Sequence, residues 1–279
     1  MSSTGGIMIA RYDMAQGVTA FSTTRHGGAS EGSYATFNIN PYCGDTAEHT
    51  AANRRLLACE LGIAPDRIML PHQTHGVETR ILSGEFMALP EDVRQMQLEG
   101  VDALLTDVQG LCIGVSTADC IPVLLYDAEH RAAAAVHAGW RGTLARILHK
   151  TITDMRLAYN TDPAKLKAVI GPGISRKNFE VGDEVYEAFE QAEFDMGAIA
   201  EQQTRRNPGA ADHAKRLEKK WHIDLPLANR MQLTHNGVSE ENITMCGICT
   251  YDHAGDYFSA RRLGTESGRI YTGIMLEED

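Results

Sequence analysis

No stretch of this chain approaches the roughly 20 consecutive apolar residues that a membrane-spanning helix needs. The apolar run at 132–136 is strand-sized. The first six residues are small and polar, without the basic start and apolar core of a secretory signal. Positive charge is scarce: 26 Lys and Arg stand against 37 Asp and Glu, a net charge of −11. A general binder of nucleic acid or of membrane surfaces would need a basic face, so neither partner is expected. None of the 11 histidines forms a His-x-His pair, and oxidases with several copper centres need many histidines, usually in such pairs. The His-x-Glu and Pro-Cys-x-x-Cys signature of cytidine-deaminase-type zinc sites is missing too, because Met245 precedes Cys246.

What remains is an ordinary globular composition, 43% hydrophobic and 23% charged over 279 residues. It folds without needing a disulfide or structural metal, and without repeats or linkers it is expected to form one domain, 1–279. Without a signal, its six cysteines are expected to be reduced and the protein cytoplasmic. Cys246 and Cys249 have redox-motif spacing, but no strand-to-helix pattern precedes them, so they are expected to be packed thiols.

Periodicity predicts a helix over 45–61, capped by Asp45 with Glu48 and stopped by Gly62. Strands are expected at 67–70 and 77–82, joined by a loop over 71–76, and at 103–106, 111–115, 123–126, 132–137 and 166–170. Helices are expected at 143–159, 185–192 and 227–233, and the polar stretch 202–220, with Pro208-Gly209, as a mobile surface segment. The strands between 111 and 137 are too close for helical crossovers. They must pair antiparallel or pass to another sheet. That favours an α+β fold of mixed sheets with outer helices.

Three segments place metal-ligating side chains where a strand meets a loop: Pro71-His72-Gln73-Thr74-His75-Gly76, Ser116-Thr117-Ala118-Asp119-Cys120-Ile121-Pro122, and Ala135-Val136-His137-Ala138-Gly139-Trp140-Arg141-Gly142. His137 ends a buried apolar run, where an imidazole must find a partner. Asp119-Cys120 puts an acid and a thiol between two apolar runs. One thiolate and two imidazoles suit zinc, with copper the other candidate, and leave a fourth position for water or substrate. The site is therefore read as His75, Cys120 and His137. His72 competes with His75, which the following Gly76 favours by allowing close approach. Metal-free catalysis, with Cys120 as nucleophile and a histidine as its base, is the alternative for the same residues. Asp119 is either an acid/base group or an orienting one. Arg25, Arg141 and Arg261, in glycine-neighboured loops, are candidates for holding an anion bidentately. Gln73 joins them on the substrate side.

The same segments resemble the YfiH-like or laccase-domain family, once called polyphenol oxidases. Gln73-Thr74-His75-Gly76, Thr117-Ala118-Asp119-Cys120-Ile121-Pro122 and Val136-His137-Ala138-Gly139-Trp140-Arg141-Gly142 carry the resemblance. Phe37-Asn38-Ile39, Asn53-Arg54, Gly171-Pro172-Gly173-Ile174, Glu180-Val181-Gly182 and Phe258-Ser259-Ala260-Arg261-Arg262 extend it in order over nearly the whole chain. The resemblance implies two packed mixed β-sheets with outer helices, and zinc on the positions of His75, Cys120 and His137. It implies phosphorolysis of adenosine, inosine, guanosine and methylthioadenosine, together with adenosine deamination, by a monomer acting on a purine nucleoside and phosphate. Some members are described as peptidoglycan editing factors that cleave an amide in a cell-wall precursor. That reading, and a copper polyphenol oxidase or a non-catalytic metal-binding protein, remain alternatives. The sequence departs from the commoner family pattern at Ala260, where an aromatic residue is more frequent, and at His72.

Overall fold

The computed structural model describes residues 6–206 and 217–278. Two mixed sheets lie face to face. The six-stranded sheet runs in the order Ile243–Met245, Lys167–Ile170, Ile121–Asp127, Ala132–Ala138, Ala103–Thr106, Thr79–Ile81. The five-stranded sheet runs Ile9–Tyr12, Val18–Thr23, Ile270–Leu276, Cys112–Thr117, Ile68–Met69.

The central strands of the six-stranded sheet are apolar on both faces because both faces are covered. Leu104, Leu124, Ala133, Ala135 and Val169 point at Ile113, Val115 and Ile274 of the other sheet. Their neighbours Leu105, Val123, Leu125, Ala134 and Val136 point the other way. There they meet Ile147, Leu148, Ile152 and Met155 of the helix Ile147–Tyr159, with Ala228 and Leu233 of the helix Leu225–His235. On the far side of the five-stranded sheet, Leu57 and Ala58 of the helix Ala47–Leu61 pack on Phe21, Ile68 and Tyr271.

The expectation for the close strands is met in both of its forms. Ile121–Asp127 and Ala132–Ala138 pair antiparallel, while Cys112–Thr117 belongs to the other sheet. Other expectations change. The helix cap is Thr46, whose hydroxyl accepts the His49 N–H at 3.2 Å. Asp45 is drawn instead towards Ser30 (2.6 Å) and Asn38 (2.9 Å). The single helix expected over 143–159 is two, Trp140–Leu144 and Ile147–Tyr159. Between them Arg146 takes a left-handed backbone (φ 64°), donates to the Ala192 carbonyl and lies 3.8 Å over the Phe194 ring. Those tertiary contacts have no local sequence signal.

The polar stretch 202–220 does not leave the fold throughout. Its arms belong to Ala200–Arg206 and Leu217–Ile223, antiparallel partners in a third, three-stranded sheet completed by Glu180–Val181. Pro208-Gly209 lies outside the described residues. Two mixed sheets were expected, and this small antiparallel sheet is additional. Val18–Thr23 and Ile270–Leu276 had no expected strand. The second is wholly buried, so it lacks the alternation that marks a half-exposed strand. Its Tyr271 ring fills space that side chains at Gly114 and Gly273 would occupy, where a Cβ would stand 2.3 and 2.7 Å from the ring.

Leu104 is fully buried between the sheets. Leu104→Ala is expected to lower the unfolding free energy by about 2–5 kcal/mol in urea titration. Leu157→Ala, at an exposed position, is expected to change it by less than about 0.5 kcal/mol.

Candidate metal centre

His137 sits near the end of the strand Ala132–Ala138, opposite Pro122 of the neighbouring strand. In the same register Ile121 faces Ala138, which brings Cys120 across from Gly139. Cys120 occupies the short passage by which the chain leaves one sheet at Thr117 and enters the other at Ile121. His75 arrives from the loop before Thr79–Ile81, with a left-handed backbone at φ 64°. Ligand atoms of His75, Cys120 and His137 all lie within 4.8 Å of one another. The two imidazoles meet edge to face, with centroids 4.8 Å apart. A Cβ on Gly139 would stand 3.0 Å from the Cys120 Sγ and 3.1 Å from the His75 ring. The glycine therefore keeps the space beside the three donors open.

Behind them lies Asp102, with no exposed surface. Its Oδ1 is 2.7 Å from His137 Nδ1. Its carboxylate also accepts the backbone N–H groups of Thr74 (3.3 Å), His75 (3.0 Å) and Gly76 (2.7 Å). One acid thus fixes the imidazole of His137, leaving Nε2 for an ion, and also holds the loop that delivers His75. A carboxylate behind a ligating histidine is a recurrent support for zinc. Burial pushes the Asp102 carboxyl up, but His137 and the N–H groups outweigh it and hold it below its ordinary range.

The donors are electrostatically coupled. Burial pushes the Cys120 thiol up, yet the charge and hydrogen bonds of His137 and His75 prevail and bring it down to about 6. Burial pulls His137 down, but Cys120 and Asp102 outweigh it and raise the imidazole to about 9. The two shifts run in opposite directions and favour a thiolate facing an imidazolium in the metal-free pair. A ready thiolate, an imidazole of fixed orientation and a second histidine on an anchored loop are the donors a borderline-soft cation takes. The residues present fit a zinc or copper ion.

Residues 19–277 match the family described as multi-copper polyphenol oxidoreductase laccase. The chain belongs to this family. It is 44% identical to a purine nucleoside phosphorylase of Bacteroides thetaiotaomicron over 94% of this chain and 92% of the relative. It is 42% identical to adenosine deaminase RL5 of an unknown prokaryotic organism, over 93% and 94%. The crystal structure of YlmD from Geobacillus stearothermophilus superposes with a TM-score of 0.81 at 26% identity, over 100% of this chain and 98% of that one. That of YfiH from Bacillus licheniformis gives 0.79 at 26%, over 93% of each. The motif resemblance therefore led to the right family. Despite the plural in the family's description, the described residues contain one group of three donors able to hold a metal, not several.

The three donors sit in a cleft of about 260 Å³ that Gln73, Thr117, Ala260 and Arg269 also line. Both departures from the family pattern, His72 and Ala260, line it as well. His72 stands apart from the donor group. Its Nδ1 is 2.6 Å from Glu99, and its ring stacks on Tyr42 with centroids 4.3 Å apart. A larger cavity of about 350 Å³ shares only Tyr42 with the cleft and contains none of the donors.

The candidate substrate residues divide. Gln73 lines the cleft, but its amide pairs twice with the backbone of Ser116, at 2.7 and 2.8 Å. Arg25 does not line it; its guanidinium donates to the carbonyls of Ala35 and Ala254 and lies over the Phe258 ring. Arg141 stacks on Trp140 at 4.1 Å, outside the cleft. Arg261 is also outside it, donating to the Glu180 carbonyl. Asp119 accepts the Thr250 hydroxyl and the Arg261 N–H, both at 2.7 Å. It ties Thr250 and the backbone at Arg261 to the Cys120 turn. Asp102 and Arg269 were missed. Asp102 had a signal: an acid opening the buried run 103–106, the same argument that singled out His137.

Asp102→Asn is expected to weaken zinc binding roughly 10- to 100-fold in chelator competition. In the metal-free protein, iodoacetamide is expected to label Cys120 readily at pH 7.5 and to lose rate as pH falls through about 6, followed by peptide mass spectrometry. Cys112, whose thiol burial pushes up to about 12, is expected to stay unlabelled.

Proposed function

We propose that this protein is a zinc-dependent purine nucleoside phosphorylase, acting on adenosine, inosine, guanosine and methylthioadenosine, that also deaminates adenosine. The observation that carries the reading is the convergence of His75, Cys120 and His137 beside a small cleft, with Asp102 fixing His137 from behind. The names of the relatives at 44% and 42% identity supply the two reactions. The same proposal has one catalytic unit spanning 1–279, monomeric and cytoplasmic, with a small-molecule substrate and neither nucleic acid nor membrane as partner. The charge balance and six unpaired cysteines support it.

In phosphorolysis a phosphate oxygen bonds to the ribose anomeric carbon as the bond from that carbon to the purine N9 breaks. The electron pair goes to the base, which takes the proton of the attacking hydrogen phosphate. In deamination water adds at C6 and ammonia leaves. When bound, zinc supplies Lewis acidity. His75, Cys120 and His137 would hold it, and Asp102 would keep the proton of His137 on Nδ1, away from the reacting side. Asp119 holds the Cys120 turn against the loops at Thr250 and Arg261. Arg25, engaged by the carbonyls of Ala35 and Ala254, supports these surroundings rather than the substrate.

The depressed Cys120 thiol favours a second reading, in which it is the nucleophile of a metal-free reaction. Zinc-loaded protein incubated with inosine and phosphate is expected to release hypoxanthine, measured by chromatography. Cys120→Ala is expected to lower kcat/KM by more than roughly 100-fold, beyond the usual effect of a supporting residue. Full activity after chelation would transfer the assignment to the nucleophile. No hypoxanthine from the metal-loaded chain would end the phosphorylase reading.

A further inference from the structure

The chain carries a net charge of −11, yet no Asp or Glu lines the cleft beside His75, Cys120 and His137. Its one arginine is Arg269. Of the five N–H donors of a guanidinium, Arg269 gives three to the carbonyls of Thr265, Ser267 and Gly268 at 2.5–3.0 Å. That fixes the group in place and leaves Nε–H and one Nη2–H without a partner among the described residues. Two further polar groups of the lining are unpaired. Ser116 and Thr117 are 5% and 1% exposed, and the hydroxyl oxygen of each is buried without a hydrogen-bond partner. A buried hydroxyl left unpaired costs about 1–3 kcal/mol. Neighbouring side chains of a strand point to opposite faces: Val115 packs between the sheets with Ala133 and Ala135, so Thr117 shares that side with His137 and Ser116 points the other way. In one cleft with a partly unpaired arginine, the Thr117 hydroxyl is a donor awaiting an acceptor-rich ligand.

We infer that Arg269 and Thr117 form the subsite for inorganic phosphate, the co-substrate of the proposed reaction. The inference rests on the phosphorylase reading for the role of the anion, but its physical content is the binding of a tetrahedral oxyanion. Phosphate offers several acceptor oxygens, matching the two free guanidinium N–H groups and the Thr117 hydroxyl. The absence of carboxylates from the lining removes the repulsion that the rest of this acidic chain would impose. The subsite also replaces Arg25, Arg141 and Arg261, which do not line the cleft. Arg269 is a binding residue that touches the phosphate, and the Thr117 hydroxyl completes its shell.

Titration calorimetry with inorganic phosphate on the full zinc-loaded chain tests this independently of turnover. Arg269→Gln is expected to weaken phosphate binding roughly tenfold or more, and Arg269→Lys by less, with zinc content unchanged. Thr117→Val, which keeps the shape and removes the hydroxyl, is expected to weaken it about threefold or more. If Arg269→Gln does not fold, Thr117→Val alone decides. In steady-state assays the KM for phosphate is expected to rise while the KM for inosine stays put. Phosphate affinity unchanged in the folded variants overturns the subsite even if the wild-type chain is a phosphorylase. If the wild-type chain releases no hypoxanthine but binds phosphate through Arg269, the subsite stands and the phosphorylase reading falls. Arg269-dependent binding of inosine 5′-monophosphate, with none of inorganic phosphate, would assign the pocket to a substrate's own phosphate group and overturn the co-substrate role.

Discussion

A carboxylate with no exposed surface must collect donors, and Asp102 collects them from two places at once. Three successive backbone N–H groups, from Thr74 to Gly76, converge on it from a loop, and His137 meets it from the next strand. Remove the acid and the loop loses its anchor while the imidazole loses its orientation. The donor group depends on that single buried charge, because two of its three members are held through it. The cost of burying the charge is offset by the hydrogen bonds and by a facing imidazolium.

The third member comes from topology. The chain changes sheets between Thr117 and Ile121, and Cys120 lies in that passage. The antiparallel register then places the thiol opposite Gly139, just beyond His137. Because the sheets are packed through short side chains such as Ala133 and Ala135, the crossing is tight. A rigid scaffold thus converts residues far apart in sequence into neighbours, and Gly139 keeps a side chain from filling the space between them. The thiolate and imidazolium that result stabilise each other, and a metal that takes the site displaces the Nε2 proton of His137.

Much of this was legible in the residues. Buried strands announced themselves as short apolar runs, and the close spacing from 111 to 137 correctly implied either antiparallel pairing or a change of sheet. Cys120 and His137 stood out because a thiol or an imidazole interrupted apolar sequence, and His75 through the Gly76 that follows it. The arginines were not legible in the same way. Any arginine beside glycine reads as an anion clamp, and only packing reveals that Arg25 serves the carbonyls of Ala35 and Ala254 while Arg269 faces the cleft. The buried strand Ile270–Leu276 escaped notice for a related reason: covered on both faces, it carries no alternation to read.

By itself the sequence determined the chemistry available, since side-chain type decides which groups can bind a soft cation, and the burial pattern, since apolar runs must leave water. It also determined the family, through motifs kept in order along the chain. The tertiary structure alone decided that Asp102 stands behind the group, that His72 turns instead to Glu99, and which arginine lines the cleft. Those outcomes turn on distances of a few ångströms between segments up to two hundred residues apart, set by sheet register and packing, and local sequence carries no record of them.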